Sequence, residues 1–156
     1  MIREARYSDV EEICRVINES NYWAYKDIIP KKYFKYPIVT PSDVLRDMVR
    51  MKFFVYEFEG KIIGVAALEP RVREGIGYVR RVYVHPKYQR RGIGTMLMNY
   101  IENHAKKLGI RKLYLVVHEK AVWAINFYRK LGYRAVGYID RPTWKDLLME
   151  KTISSR

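Results

Sequence analysis

The chain has 156 residues, 49% hydrophobic and 14% aromatic, which excludes a disordered polymer and suits one domain, residues 1–156, around one core. A formal charge of +13, from 30 Lys and Arg against 17 Asp and Glu, favours anionic partners: nucleic acid, acidic protein or a phosphorylated cofactor. No apolar run of about 20 residues exists to cross a membrane, and the single cysteine, Cys14, excludes an internal disulfide or a multi-cysteine metal site.

Residues Ile2 to Arg6 read as a short strand. Ser8-Asp9-Val10-Glu11 has the spacing of a capping box. Val10, Ile13, Cys14 and Ile17 then share one helical face, so Cys14 reads as a small buried hydrophobe rather than a nucleophile. Asn21 to Tyr36 is aromatic and basic without clean periodicity, and reads as a long functional loop or a clasp over the core. Pro41-Ser42-Asp43 opens a second helix with Leu45, Met48 and Val49 on its inner face. Phe53–Phe58 and Ile62–Leu68 form a hairpin around Glu59-Gly60, followed by a polar loop from Glu69 to Gly75.

The stretch from Gly77 to Thr95 carries most of the functional information. Val79 to Val84 alternates and is rich in β-branched and aromatic residues, as a strand should be. His85-Pro86 stops it, because proline has no N–H for a ladder. Gln89 to Gly94 is basic and glycine-rich. Ile93, Leu97, Ile101, Ala105 and Leu108 then recur at helical spacing. A strand, a turn, a glycine-rich loop and a helix therefore follow one another. The unpaired N–H groups at that helix start, the close approach that Gly92 and Gly94 permit, and the charges of Arg90 and Arg91 predict a phosphate or pyrophosphate site. It is not a P-loop, because no Gly-Lys-Ser/Thr ends the loop.

Beyond the helix, which Gly109 ends, Leu113 to Val117 is a continuous apolar run and reads as a strand buried on both faces. Ala121 to Leu131 reads as a helix capped by Gly132, with Ala121, Ala124, Ile125, Tyr128 and Leu131 on one face. Ala135–Ile139 and Asp146–Thr152 close the chain as a strand pair.

Gln89-Arg90-Arg91-Gly92-Ile93-Gly94 resembles the acetyl-CoA signature Q/R-x-x-G-x-G/A of the GNAT superfamily of N-acetyltransferases. The preceding strand and proline match as well, and Ala124-Ile-Asn-Phe-Tyr-Arg-Lys-Leu-Gly-Tyr133 resembles that family's second signature. The resemblance implies an α/β fold: a mixed, splayed central sheet flanked by helices on both faces, with acetyl-CoA as cosubstrate and no metal. It implies that the backbone of Val82, Tyr83 and Val84 pairs with pantetheine. The pyrophosphate would rest on N–H groups of Arg90, Arg91, Gly92, Ile93, Gly94 and Thr95.

In the same family a tyrosine at the position of Tyr128 stands near the thioester sulfur and protonates the departing thiolate. A frequent CoA-contacting asparagine is replaced here by Ala121, so that contact is either lost or moved to Asn126. A frequent glutamate on the central strand is replaced by Tyr78. Glu69 then becomes the first candidate for the general base, with an ordered water or Asp140 second. The implied reaction is transfer of acetyl from acetyl-CoA to a primary amine by direct attack in a ternary complex, in the cytoplasm. The acceptor, small molecule or protein, is unspecified, and a homodimer is compatible. The competing readings are a basic nucleic-acid- or ribosome-associated module and a CoA-binding sensor without turnover.

Overall fold

The computed structural model describes residues 1–154. One seven-stranded sheet is formed by β1 (Ile2–Glu4), β2 (Lys52–Phe58), β3 (Lys61–Arg71), β4 (Ile76–Val84), β5 (Lys112–His118), β6 (Arg134–Asp140) and β7 (Lys145–Thr152). Four helices accompany it: α1 (Val10–Tyr25), α2 (Pro41–Arg50), α3 (Ile93–Lys107) and α4 (Val122–Lys130). The spatial order is β1-β2-β3-β4-β5-β7-β6, and only the β4–β5 pair is parallel.

The hydrophobic residues divide into two cores, one on each side of the sheet. Ile93, Leu97, Met98, Ile101 and Ala105 of α3 bury against Phe54, Ala66, Leu68 and Leu113. Ile13, Val16 and Ile17 of α1 bury with Val44, Phe53, Val55 and Val65 on the other side. Alternation along β2 and β3 thus feeds both layers, which is how a sheet with helices on both faces is built.

Several local expectations are corrected. Ser8 makes no capping bond. Instead the Asp9 carboxylate accepts from Arg6 N–H at 2.7 Å and from both ends of the Arg3 guanidinium at 2.8 and 3.0 Å. The expected loop from Asn21 is helical as far as Tyr25, because Ser20 and Asn21 are buried against the sheet and extend the inner face of α1. On α2, Leu45 and Val49 are 42% and 85% exposed, and the inner face is Val44 and Asp47 with Met48 partly buried. Asp47 faces inward because Arg81 and Arg50 reach it. β3 runs on through Glu69 to Arg71, since Glu69 pairs in register with Tyr78. β5 is buried on one face only: Leu113, Leu115 and Val117 are buried while Tyr114 and Val116 are half-buried.

Two backbone features shape the site. β4 and β5 pair only from Ile76–Lys112 to Tyr78–Tyr114, and the strands part beyond that point. Opposite Val65 and Ala67, β4 inserts one extra residue between Arg80 and Tyr83, a bulge at which Arg81 takes φ 56°.

Candidate acetyl-transfer site

The gap between the diverging strands is a cleft of about 1220 Å³. One wall is Val79 to Val84 of β4, the other Leu115 to Val117 of β5. Residues Gln89–Arg90 and Gly92–Thr95 close one end, and Tyr25, Trp123, Phe127 and Tyr128 stand around it.

The loop before α3 has the backbone expected of an anion site. Arg90 (φ 64°) and Gly92 (φ 78°) are both left-handed, which curls the chain and turns successive N–H groups to one side. The first intrahelical bond of α3 is Met96 N–H to Gly92 O at 3.0 Å, so the N–H groups ahead of it are free of helix partners. A Cβ on Gly92 would meet nothing within 4 Å, whereas one on Gly94 would lie 3.2 Å from the Phe127 ring. Gly92 is therefore demanded by its φ, and Gly94 by the close approach of α4 to α3.

Tyr128 is 9% exposed and lines the cleft. Its ring packs edge-on against Phe127 and Tyr133, and its hydroxyl makes no hydrogen bond within the described residues. Burial, with smaller contributions from Tyr25 and Tyr83, pushes its phenol above the ordinary tyrosine range, so it is protonated at neutral pH. Burial does the same to Tyr25 and Tyr83, which also line the cleft. Tyr83 Oη donates to Asn21 Oδ1 at 3.5 Å.

The structure brings Val82, Tyr83, Val84, Arg90, Gly92, Ile93, Gly94, Thr95 and Tyr128 to one cleft. Three expected residues lie elsewhere. The Arg91 guanidinium sits 5.3 Å from the Tyr88 ring centre, beside a separate small cavity, so only its backbone can serve the loop. Asn126 is exposed on the side of α4 that does not line the cleft. Glu69 does not line the cleft either: it accepts from Arg80 Nε at 2.9 Å, Arg71 at 3.1 Å and Arg50 at 3.4 Å. Burial raises its pKa, but the bonds from Arg71 and Arg80 outweigh that and leave it below the usual carboxylate range. A carboxylate so held is a poor base, and its evident work is to fix arginines.

Other titratable side chains lie outside the cleft lining. Asp140 is exposed at the end of β6 and outside the cleft lining. His85 pairs with Glu19, and His118 stacks on Trp144 at 5.8 Å. Cys14 is buried away from the cleft, donating to Val39 O at 3.3 Å, and burial raises its thiol pKa. Among the described residues no group of three or more His, Cys, Asp or Glu could hold a metal ion, and no helix is long and apolar enough to cross a membrane.

Sequence reasoning missed Arg80 and Arg81, which line the cleft together. Two adjacent arginines inside an otherwise apolar strand were the available signal. The bulge that turns both toward the cleft depends on pairing with β3 and leaves no local mark.

A splayed parallel pair with a glycine-capped helix at its mouth defines an acyl-CoA-binding fold, and comparison with known proteins agrees. Residues 12–133 match the model of the acetyltransferase (GNAT) family. The chain belongs to that family, and its class of chemistry is acetyl-CoA-dependent N-acetylation. It is 32% identical over 150 residues to the peptidyl-lysine N-acetyltransferase YiaC of Escherichia coli (strain K12), covering 92% of this chain and 93% of that one. It is 30% identical over 97 residues to the amino-acid acetyltransferase of Vibrio vulnificus (strain CMCP6), covering 62% of this chain but only 21% of that protein's length. Among solved structures it is similar to the PaiA N-acetyltransferase of Thermoplasma acidophilum in complex with coenzyme A. There the TM-score is 0.85 and the identity 27%, with 97% of this chain and 98% of the other covered.

Proposed function

We propose that the chain acetylates a primary amine by direct attack on acetyl-CoA in a ternary complex, and that it works in the cytoplasm, the compartment an unpaired cysteine suits. The observation that carries this reading is the placement of anion-binding backbone and a protonated phenol on one cleft. The pyrophosphate fits the N–H groups of residues 90–95 and the charge of Arg90. The edge of β4 at Val82 to Val84 faces β5 without pairing to it and offers backbone groups to an amide-containing chain, although the Val84 carbonyl already accepts from Ser20 Oγ at 3.1 Å and Gln89 Nε2 at 3.0 Å.

In the reaction the amine lone pair forms the new C–N bond at the thioester carbonyl. Charge gathers on the carbonyl oxygen, where a backbone N–H of the β4 bulge is suited to hold it. As the C–S bond breaks, its electron pair goes to sulfur and Tyr128 Oη supplies the proton. The amine's own proton leaves to water, since Glu69 is sequestered by arginines. Several similar proteins carry names of different acceptors: peptidyl-lysine for the Escherichia coli relative, spermidine for one from Thermoplasma acidophilum, and amino acids for the Vibrio one. These support an amine, small or peptidic, as acceptor here.

The test is a panel of amines incubated with acetyl-CoA, following thiol release and the mass of the acetylated product. Amine-dependent thiol release with an acetyl amide as product is expected. CoA that binds without any amine-dependent turnover would point to a sensor and overturn the proposal.

A further inference from the structure

The described residues that line the cleft include no aspartate, glutamate or histidine. Its charged side chains are all arginines: Arg90 in the phosphate loop, and Arg50, Arg80 and Arg81. Arg80 and Arg81 sit just beyond Tyr78, where β4 and β5 part, whereas Arg90 lies beyond the other end of β4. In a regular strand two consecutive side chains point to opposite faces. The bulge, with Arg81 at φ 56°, breaks that alternation and lets both line the cleft.

Their hydrogen bonding leaves the terminal nitrogens unbonded, and the Arg80 guanidinium, 5.0 Å from the Tyr78 ring centre, keeps its in-plane N–H groups for a ligand. Arg80 bonds only through Nε, to Glu69 Oε1 at 2.9 Å. Arg81 bonds only through Nε, to Asp47 Oδ2 at 3.1 Å. The terminal nitrogens of both make no hydrogen bond to the described residues. Asp47 and Glu69 are buried and anchor the pair, but they do not neutralise the cluster. Four guanidiniums, Arg50, Arg71, Arg80 and Arg81, meet two carboxylates, leaving a surplus of two positive charges. Such a wall repels an ammonium-rich acceptor and offers forked donors to a carboxylate.

The lack of a carboxylate or imidazole base in the cleft bears on the amine as well. An N-terminal α-amine, with a pKa near 8, is substantially neutral at pH 7–8, whereas a lysine amine near 10.4 is not. Positive charge close by lowers either value further. Trp23, Tyr25 and Trp123 supply flat apolar surface beside the cleft for an extended chain.

Resting on the proposed amine acetylation, we infer that the acceptor is the α-amine of a peptide or protein whose first residues carry an acidic side chain, and that Arg80 and Arg81 receive its carboxylate. The inference departs from the cationic acceptors in the names of the lysine- and spermidine-acetylating relatives.

The test compares matched peptides that begin with Glu, Gln or Lys and are otherwise identical, with spermidine and free glutamate alongside. CoA binding is measured by calorimetry on the same preparation. The Glu peptide should exceed the Gln peptide by at least about tenfold in kcat/KM, as one charge-assisted contact warrants. The Lys peptide, spermidine and free glutamate should fall below the Gln peptide. In Arg80→Met and Arg81→Met the Glu-to-Gln ratio should drop to within about twofold, and Arg80→Lys should restore part of it. Spermidine, the Lys peptide or free glutamate matching the Glu peptide would overturn the inference while leaving amine acetylation standing. A ratio that persists in both Met variants would do the same. The wild-type order alone decides if a variant fails to fold. No thiol release with any amine, despite CoA binding, would sink the acetylation reading itself, and this inference with it.

Discussion

Tyr128→Phe removes one hydroxyl and nothing else. That hydroxyl makes no hydrogen bond within the described residues, so its loss sacrifices no protein contact and the ring packing against Phe127 and Tyr133 is kept. Stability should therefore change by no more than about 0.5 kcal/mol. Catalysis should respond differently. Thiol and phenol differ by only about 1.5 units in ordinary pKa, so proton transfer to the leaving thiolate is feasible. Burial raises the Tyr128 phenol, which weakens it as an acid but keeps it protonated across the working range. General-acid help is typically worth about 10²–10⁴ in rate. Allowing for the raised phenol, a loss of at least about tenfold in kcat is expected, or about 1.4 kcal/mol of transition-state stabilisation. The assay is thiol release at saturating acetyl-CoA, paired with calorimetric CoA affinity, which should stay within about threefold of wild type because the contact forms mainly in the transition state. Because the phenol's pKa is raised, its deprotonation should cause no fall in kcat below about pH 9. A kcat within twofold of wild type, with chemistry rate-limiting, would make Tyr128 a packing residue.

Gly92→Asp should weaken CoA at least about tenfold, since it places a negative charge at the helix start. Gly92→Ala should mostly keep CoA binding while losing about 1–2 kcal/mol of stability, because the position needs φ 78° but has open space for a Cβ; equal CoA losses in both would remove the phosphate assignment. Cys14→Ala should hold turnover within twofold and cost about 1 kcal/mol of stability, read by thermal melts alongside the activity assay, as befits a buried thiol bonded to Val39 O. Asp9→Asn should cost about 2 kcal/mol at pH 7 in denaturant titrations, because Asp9 holds Arg3 and the Arg6 N–H. The Arg3 hydrogen bond lowers the folded pKa of Asp9, so its contribution is full above the unfolded value of about 3.9 and is lost as pH falls through the lower folded value. The gap between wild type and Asp9→Asn should accordingly narrow below about pH 4; a gap constant down to pH 2 would contradict the pairing.

Elements whose signals are local could be read in advance. The strand character of Val79 to Val84, the stop at Pro86 and the period of α3 each sit within a few residues, and the structure repeats them as β4 and α3, with the bulge at Arg81 interrupting the alternation. The splayed sheet followed from the resemblance, not from periodicity. Part of what escaped is set by partners distant in sequence, and part by local side-chain direction. Asp47 turns inward on α2 because Arg81 arrives from β4 34 residues later. Glu69 looks like a free strand-end acid until Arg50, Arg71 and Arg80 converge on it. Arg91 shares the basic loop with Arg90, but its stacking on Tyr88 sends it away from the cleft. Asn126 sits one residue before Phe127, yet only Phe127 faces the cleft, a difference of helical phase that the shift from Ala121 ignored.

In the proposed mechanism acetyl passes straight from acetyl-CoA to an amine in the cleft between β4 and β5. The most direct measurement is a single-turnover reaction of equimolar enzyme and acetyl-CoA with an acidic-N-terminus peptide, quenched over time and read by intact mass of both protein and peptide. Acetyl-peptide should appear together with free CoA thiol while the protein mass stays unmodified at every time point. An acetylated protein that forms before the peptide product and decays into it, on Cys14 or any other side chain, would contradict direct transfer.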